Sequence, residues 1–420
     1  LYVIPSKELV IVRTGNFNMH WEESFIPNTL IRNISNVIPA SEQKGSLPPI
    51  PPEDDLFWWR YANLPEDIFE PPMDWYEPHE NIIGVDDAPF YETATEQTIN
   101  PEALQAAATY AKEHNSTALV VLHKGKIVHE DYWGGYSRDK TFSSHSMNKT
   151  VTALAVGLAV DEGLIDSVDD PVEKYLPQAQ GTPFGGRSLR HLLTMSSGVE
   201  HLPSVFEPNS KAVQLAWGTR TVDTALTLAM DKEPETEFNH ENANPLLLGA
   251  VVSEVSGQRY ADFVSEMLWQ PLQARTATLF LDADGGTPHT DCCLLSKPTT
   301  WVRIGEMFRN GGRVGDQQII SEAYLKDMLT PSKANPNYGF QIWLGTEHVE
   351  TRMYREGQPF GNTHSEPFDV DDVIYMDGYG HKRVWIIPSQ ELVIMRLGFI
   401  DRTFDEAFIP NTIIRGVLSD

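Results

Sequence analysis

The stretch TFSSHSMNKTVTALAVGLAVDEG, Thr141 to Gly163, joins a polar run to a long segment almost free of charge. From Val151 to Val160 the residues are apolar nearly all round, so this part is expected to be a helix buried on every side. Such a helix points its first turn into an interior or a cleft floor. Ser146 and Lys149 lie three apart on one face of that turn and are expected to touch. The unpaired N–H groups of a helix start carry partial positive charge, and burial removes water; both disfavour an ammonium. Lys149 is therefore expected to have a lowered pKa and to act as a base towards Ser146. The plain alternative is an N-capping serine beside a solvated lysine. A buried helix offers a lysine little water, which favours the chemical reading.

The bare pattern Ser-x-x-Lys is not decisive, since it also occurs at Ser41–Lys44 and Ser137–Lys140. The first of these lies near a Pro-rich run. The second follows the turn YWGGYSRDK with no helix behind it. Only Ser146–Lys149 opens a helix.

The chain around this stretch has 420 residues, more than one ordinary core fills, which points to two lobes or an extended domain. The formal net charge of −27 repels phosphate backbones and anionic lipid heads, so neither nucleic acid nor membrane is an expected partner. No apolar run reaches the length of a membrane span. The two cysteines, Cys292 and Cys293, are adjacent, which is neither a disulfide framework nor a CxxC metal pair. They are expected as free or buried thiols. HTDCC, His289 to Cys293, carries metal-capable side chains but poor spacing for a tetrahedral zinc, and neither metal nor cofactor is expected. There is no Gly-x-Ser-x-Gly elbow of the α/β-hydrolase kind.

The two ends of the chain are alike. IPSKELVIVRTG (Ile4 to Gly15) matches IPSQELVIMRLG (Ile387 to Gly398), and FIPNTLIRNI (Phe25 to Ile34) matches FIPNTIIRGV (Phe408 to Val417), with equal spacing between blocks. Residues 1–36 are therefore expected to be a second copy of the C-terminal strand-strand-helix unit. The C-terminal copy, joined by a short turn to its neighbouring strand, is expected to hold the sheet position in its own chain. The N-terminal copy is expected to pair with a sheet edge, giving a possible homo-oligomer. Residues 37–99 read as a Pro-rich, acidic linker followed by an aromatic strap from Phe57 to Tyr91. Strands near 117–135 and after residue 370, with helices between, imply a sheet lobe (about 100–145 and 286–420) and a helical lobe (about 146–285). A cleft between lobes suits a small-molecule site.

With these motifs in order, the sequence resembles the serine β-lactamase and penicillin-binding-protein superfamily. It is most similar to its esterase-like and 6-aminohexanoate-dimer-hydrolase-like members. The resemblance runs from about Pro101 to the C-terminus. It rests on SMNKT, LIDSVDDPVEKYLP, LRHLLTMSSGVE, FNHENANPLLLGAVVSEVSGQRYADF and GYGHKRVWIIPSQELVIMRL. It implies an α+β, β-lactamase/transpeptidase-like fold: an antiparallel sheet flanked by helices, plus an inserted all-α lobe. It implies Ser146 as nucleophile and Lys149 as its base.

The family's Tyr-x-Asn falls on His240-Glu241-Asn242, so a histidine stands where the tyrosine does; imidazole can also move a proton near neutral pH. Its Lys-Thr-Gly strand falls, without gaps, on Val373-Ile374-Tyr375. That leaves no lysine for a substrate carboxylate, and the N–H of Met376 as partner to that of Ser146 in an oxyanion hole. The implied substrate is a small ester or amide; a β-lactam or D-Ala-D-Ala peptide is the alternative. A catalytically silent binding or assembly protein is the reading from another class. The compartment is open: a soluble protein of bacterial cytoplasm or periplasm, or secreted.

Overall fold

The computed structural model describes residues 2–4, 9–11, 54–68, 72, 75–202, 207–358 and 361–418. At the N-terminus, β1 (Tyr2–Ile4) and β2 (Leu9–Ile11) pair with each other as an antiparallel two-stranded sheet. The strap contributes α1 (Asp55–Ala62) and β3 (His79–Ile82). The main body opens with α2 (Pro101–Glu113), whose Pro stands at the first turn where no N–H is needed and whose start is capped by Asn100. It continues with β4 (Ser116–His123), β5 (Lys126–Tyr132) and β6 (Phe142–Ser143). The helical lobe holds α3 (Asn148–Asp161) and α4 (Ala243–Ser256). After it come β7 (Ala277–Phe280), β8 (Leu295–Ser296) and α5 (Pro298–Arg309). The chain closes with β9 (Trp343–Leu344), β10 (Ile374–Gly378), β11 (Lys382–Ile387), β12 (Leu392–Gly398) and α6 (Phe408–Gly416).

The main sheet is antiparallel, in the order β9-β10-β11-β12-β4-β5. Alternation divides its residues between two cores. Val120, Leu122, Met376, Val384 and Val393 face α5 and the helical lobe. Leu119, Val121, Tyr375, Trp385 and Ile394 face α2 and α6. Both faces are covered, which is why β10, β11 and β12 carry apolar residues on both sides, as in Val384-Trp385-Ile386-Ile387 and Leu392-Val393-Ile394-Met395. This is the expected α+β architecture of a helix-flanked antiparallel sheet with a helical lobe.

The C-terminal copy of the repeat supplies β11 and β12, and fills the position between β10 and β4. The N-terminal hairpin keeps the same register: Tyr2↔Ile11 and Ile4↔Leu9 correspond to Trp385↔Ile394 and Ile387↔Leu392. The remainder of the N-terminal copy, including FIPNTLIRNI, and the Pro-rich linker lie outside the described residues.

The sequence gives no sign of a second, four-stranded sheet, β3-β7-β8-β6, at the junction of the lobes. One of its strands comes from the strap. Arg60 holds the strap down: wholly buried, its guanidinium donates to the carbonyl oxygens of Leu281, Asp282, Trp217 and Glu77 and lies 4.1 Å from the centre of the Tyr76 ring. Removal of such a group would leave several buried acceptors unpaired.

Candidate active site

β6 leads into a turn in which His145 takes a left-handed conformation (φ +48°). The chain then winds through a short 3-10 turn, His145–Met147, into α3. Residues Asn148 to Ala159 of α3 are all buried, as the apolar run requires. Ser146 itself is half-buried, and the Lys149 side chain behind it is almost without solvent contact.

Lys149 Nζ has three neighbours: Ser146 Oγ at 3.1 Å, Asn242 Oδ1 at 2.7 Å and the Asp291 carbonyl oxygen at 2.5 Å. Two are carbonyl-type acceptors, which can only receive hydrogen. A neutral amine has two hydrogens and one lone pair, so with the carbonyls served its lone pair is left for the Ser146 hydroxyl. Burial pushes Lys149 down to about 8, against the opposing fields of Asp291, Glu241 and Asp377. Burial thus brings the free amine within reach near neutral pH.

Asn242 stands at the N-cap of α4, yet its side chain makes no capping bond. Its oxygen is committed to Lys149. The preceding turn is fixed by Asn239, whose N–H and side-chain amide donate to Met195 O and Val199 O. His240 is fixed by its backbone N–H to Tyr354 O at 2.9 Å. Its ring lies among Phe238, Tyr338, Trp343 and Tyr354, with centroids 5.3 to 6.4 Å away. Burial, then Lys149 and Arg352, hold the imidazole well below its usual pKa, so it is neutral.

The wall opposite α4 is the HTDCC segment. It threads between α3 and α4: Thr290 accepts from Thr152 through its carbonyl and donates from its hydroxyl to Pro245 O. Gly249 makes room, since a Cβ there would come to 2.4 Å from Thr290 Oγ1. Asn148 donates to His289 O and Cys292 O, and Cys293 N–H donates to His145 O. Cys292 and Cys293 are disulfide-bonded to each other rather than free thiols. His289, Asp291 and Cys292 place ligand-type atoms within 4.8 Å of one another, but His289 and Asp291 bond to each other and Cys292 to Cys293.

The far end of β10 approaches the nucleophile at Gly378. A Cβ on Gly378 would lie 2.4 Å from Ser144 O, so only glycine permits this contact. The Tyr379 ring follows, 5.6 Å from that of His145. Met376, two residues back, packs its side chain wholly in the core facing α5. Tyr375 points to the opposite face of the sheet, against Trp343 and Phe368, and so is not brought to the Ser146 cluster. β9 pairs with β10 only at Ile374 and Tyr375.

Behind β10 lies an ionic cluster that the sequence did not disclose. Arg352, Asp377, Arg383 and Glu406 are buried together, two cations with two anions. Tyr354 Oη donates to Asp377 at 2.8 Å. Asp377 and Arg383 stand opposite each other in the β10–β11 hairpin, while Arg352 and Glu406 join them from elsewhere in the chain.

The beta-lactamase family model matches residues 103–398. The chain is 26% identical over 305 residues to the 6-aminohexanoate-dimer hydrolase of Paenarthrobacter ureafaciens, covering 68% of this chain and 73% of that one. Among solved structures it is similar to a penicillin-binding-protein homologue from Caulobacter crescentus (TM-score 0.58, 12% identity, 76% of this chain and 98% of that one). It is also similar to a family VIII carboxylesterase (TM-score 0.56, 15% identity, 76% and 99%).

Proposed function

The chain belongs to the beta-lactamase family of hydrolases, and from that premise we propose that it acylates Ser146 with a small ester or amide and releases the acid to water. The observation that carries this is the contact of Lys149 Nζ with Ser146 Oγ and two carbonyl acceptors, which in the neutral amine leaves the lone pair for the serine hydroxyl. In the first step Ser146 Oγ bonds to the acyl carbon while its proton passes to Lys149 Nζ. The tetrahedral oxyanion forms beside the N–H of Ser146. The end of β10 at Gly378, with Tyr379 after it, is better placed than Met376 to supply a second donor, because Gly378 touches the nucleophile's segment. The Lys149 ammonium then protonates the departing alcohol or amine. Water repeats the sequence on the acyl-enzyme, with Lys149 again taking the proton.

His240 enters this scheme as a neutral group. Its basicity is far below that of Lys149, so the mobile proton rests on the lysine. β10 itself carries no lysine, and Lys382 across from Gly378 directs its Nζ to Tyr379 O, which favours neutral esters and amides over β-lactams. The relative named as a 6-aminohexanoate-dimer hydrolase adds weight to the amide arm. The test is a hydrolysis screen with short-chain p-nitrophenyl esters, the 6-aminohexanoate dimer and nitrocefin, run beside Ser146→Ala. Turnover and fluorophosphonate labelling are expected in the parent chain and lost in the variant. Undiminished turnover in Ser146→Ala would place the chemistry elsewhere, and no labelling of the parent would favour the silent binding protein.

A further inference from the structure

The Asp291 carbonyl that accepts from Lys149 belongs to a residue whose side chain is also buried and engaged. Asp291 Oδ1 lies 3.1 Å from His289 Nδ1, and His289 Nε2 lies 2.6 Å from the hydroxyl of Tyr76. All three side chains are buried. Tyr76 belongs to the strap, ahead of the residues 103–398 that the family model covers. The strap is fixed there by Arg60, whose guanidinium lies over the Tyr76 ring.

The direction of each bond follows from chemistry. Burial raises the Tyr76 phenol, which stays protonated and donates to Nε2. His289 then carries its hydrogen on Nδ1 and donates it to Asp291. Hydrogen bonding from His289 and the nearby Lys149 hold Asp291 below the usual carboxylate range despite burial, so it is an anion. We propose that Tyr76, acting through His289 and Asp291, is a positioning residue that keeps a fixed negative charge beside Lys149 and thereby sets the pH at which the active-site base is free. The inference rests on Lys149 being that base.

The sign is as follows. An anion beside Lys149 favours its ammonium. Asp291, from the HTDCC segment, acts in this sense together with Glu241 before α4 and Asp377 on β10, while the remaining facing group, His240, is neutral. Removing the Asp291 charge lets Lys149 lose its proton at lower pH. Removing the Tyr76 hydroxyl frees Nε2 to carry the ring hydrogen, so Nδ1 no longer donates to Asp291; without that bond, burial disfavours the carboxylate and its charge beside Lys149 is weakened. Around Tyr76 itself the charged neighbours are Arg60, Asp282 and Asp291, and a change to Phe leaves all three in place.

The experiment is the pH profile of kcat/KM, which reports the free enzyme's ionisations, in the full chain and in Asp291→Asn, Tyr76→Phe and the double variant. The ascending limb near pH 8 is expected to move down by about one unit or more in Asp291→Asn, as for loss of an adjacent charge. It should move in the same direction in Tyr76→Phe, and no further in the double variant than in Asp291→Asn, because the two act through one another. A limb that stays in place in Tyr76→Phe while the rate falls equally at all pH values would overturn the proposal. Tyr76→Phe removes a single oxygen, so it carries the test alone should Asp291→Asn not fold. The underlying reading fails separately: a limb near pH 8 that survives in Lys149→Ala belongs to some other group.

Discussion

Asn242→Asp changes one atom at the centre of the site and so isolates an electrostatic effect from a steric one. The new oxygen replaces Nδ2, and the resulting carboxylate keeps an oxygen at the Oδ1 position, 2.7 Å from Lys149 Nζ. An opposite charge at such range raises a base by about one to three units. Lys149 would move from about 8 to roughly 9–11 on that scale. Each unit lowers the neutral fraction at pH 7 tenfold, so kcat/KM there should fall by about 10- to 1000-fold. The loss should be recovered as pH rises through the new value, because at high pH the amine is free in both proteins. The assay is kcat/KM between pH 6 and 11 on a linear amide, whose spontaneous hydrolysis stays slow where aryl esters decay. A variant whose rate is reduced by one constant factor at every pH, with its limb still near 8, would refute the role of Lys149 as the titrating base.

His240→Ala should reduce kcat/KM, and His240→Tyr should retain part of it. Because the imidazole is already neutral, neither should displace the limb near pH 8; a separate limb at pH 6 to 7 that vanishes in both would make His240 the titrating group. Glu406→Gln should destabilise the fold by about 3–5 kcal/mol, seen as a lower urea midpoint, since Arg352 and Arg383 would keep only Asp377 as a buried counter-charge. The two guanidinium groups hold the Glu406 carboxyl far below its unfolded value. Its stabilising contribution is therefore present above the unfolded carboxylate pKa and is lost as pH falls through the folded one; the gap between parent and variant should narrow on acidification.

What the sequence determined by itself was whatever depends on neighbours along the chain. The apolar run from Val151 to Val160 specified a buried helix, and a three-residue spacing put Lys149 behind Ser146. Copied blocks at the two ends disclosed the hairpin, whose register is the same in both places around the shared Leu-Val-Ile strand. Ordered motifs located His240 and Asn242, and Asn242 does meet Lys149 although 93 residues separate them. Counting without gaps to Tyr375 and Met376 went less far. Strand alternation sends Tyr375 to the other face, and only the docking of β10 against the turn at Ser144 selects Gly378 as the point of contact.

Tertiary structure decided the rest. HTDCC reads in sequence as a poor metal motif, yet threading between α3 and α4 makes it a wall of the site and gives Lys149 its second acceptor. Tyr76 and Lys149 come within one chain of contacts only after the strap is fastened by Arg60 to carbonyl groups far along the sequence. The arrival of Arg352 and Glu406 at the hairpin pair Asp377–Arg383 is of the same kind. A charge buried in a fold needs a partner in space, and the partner can come from any segment that packing brings near. Periodicity along a chain carries no record of that choice.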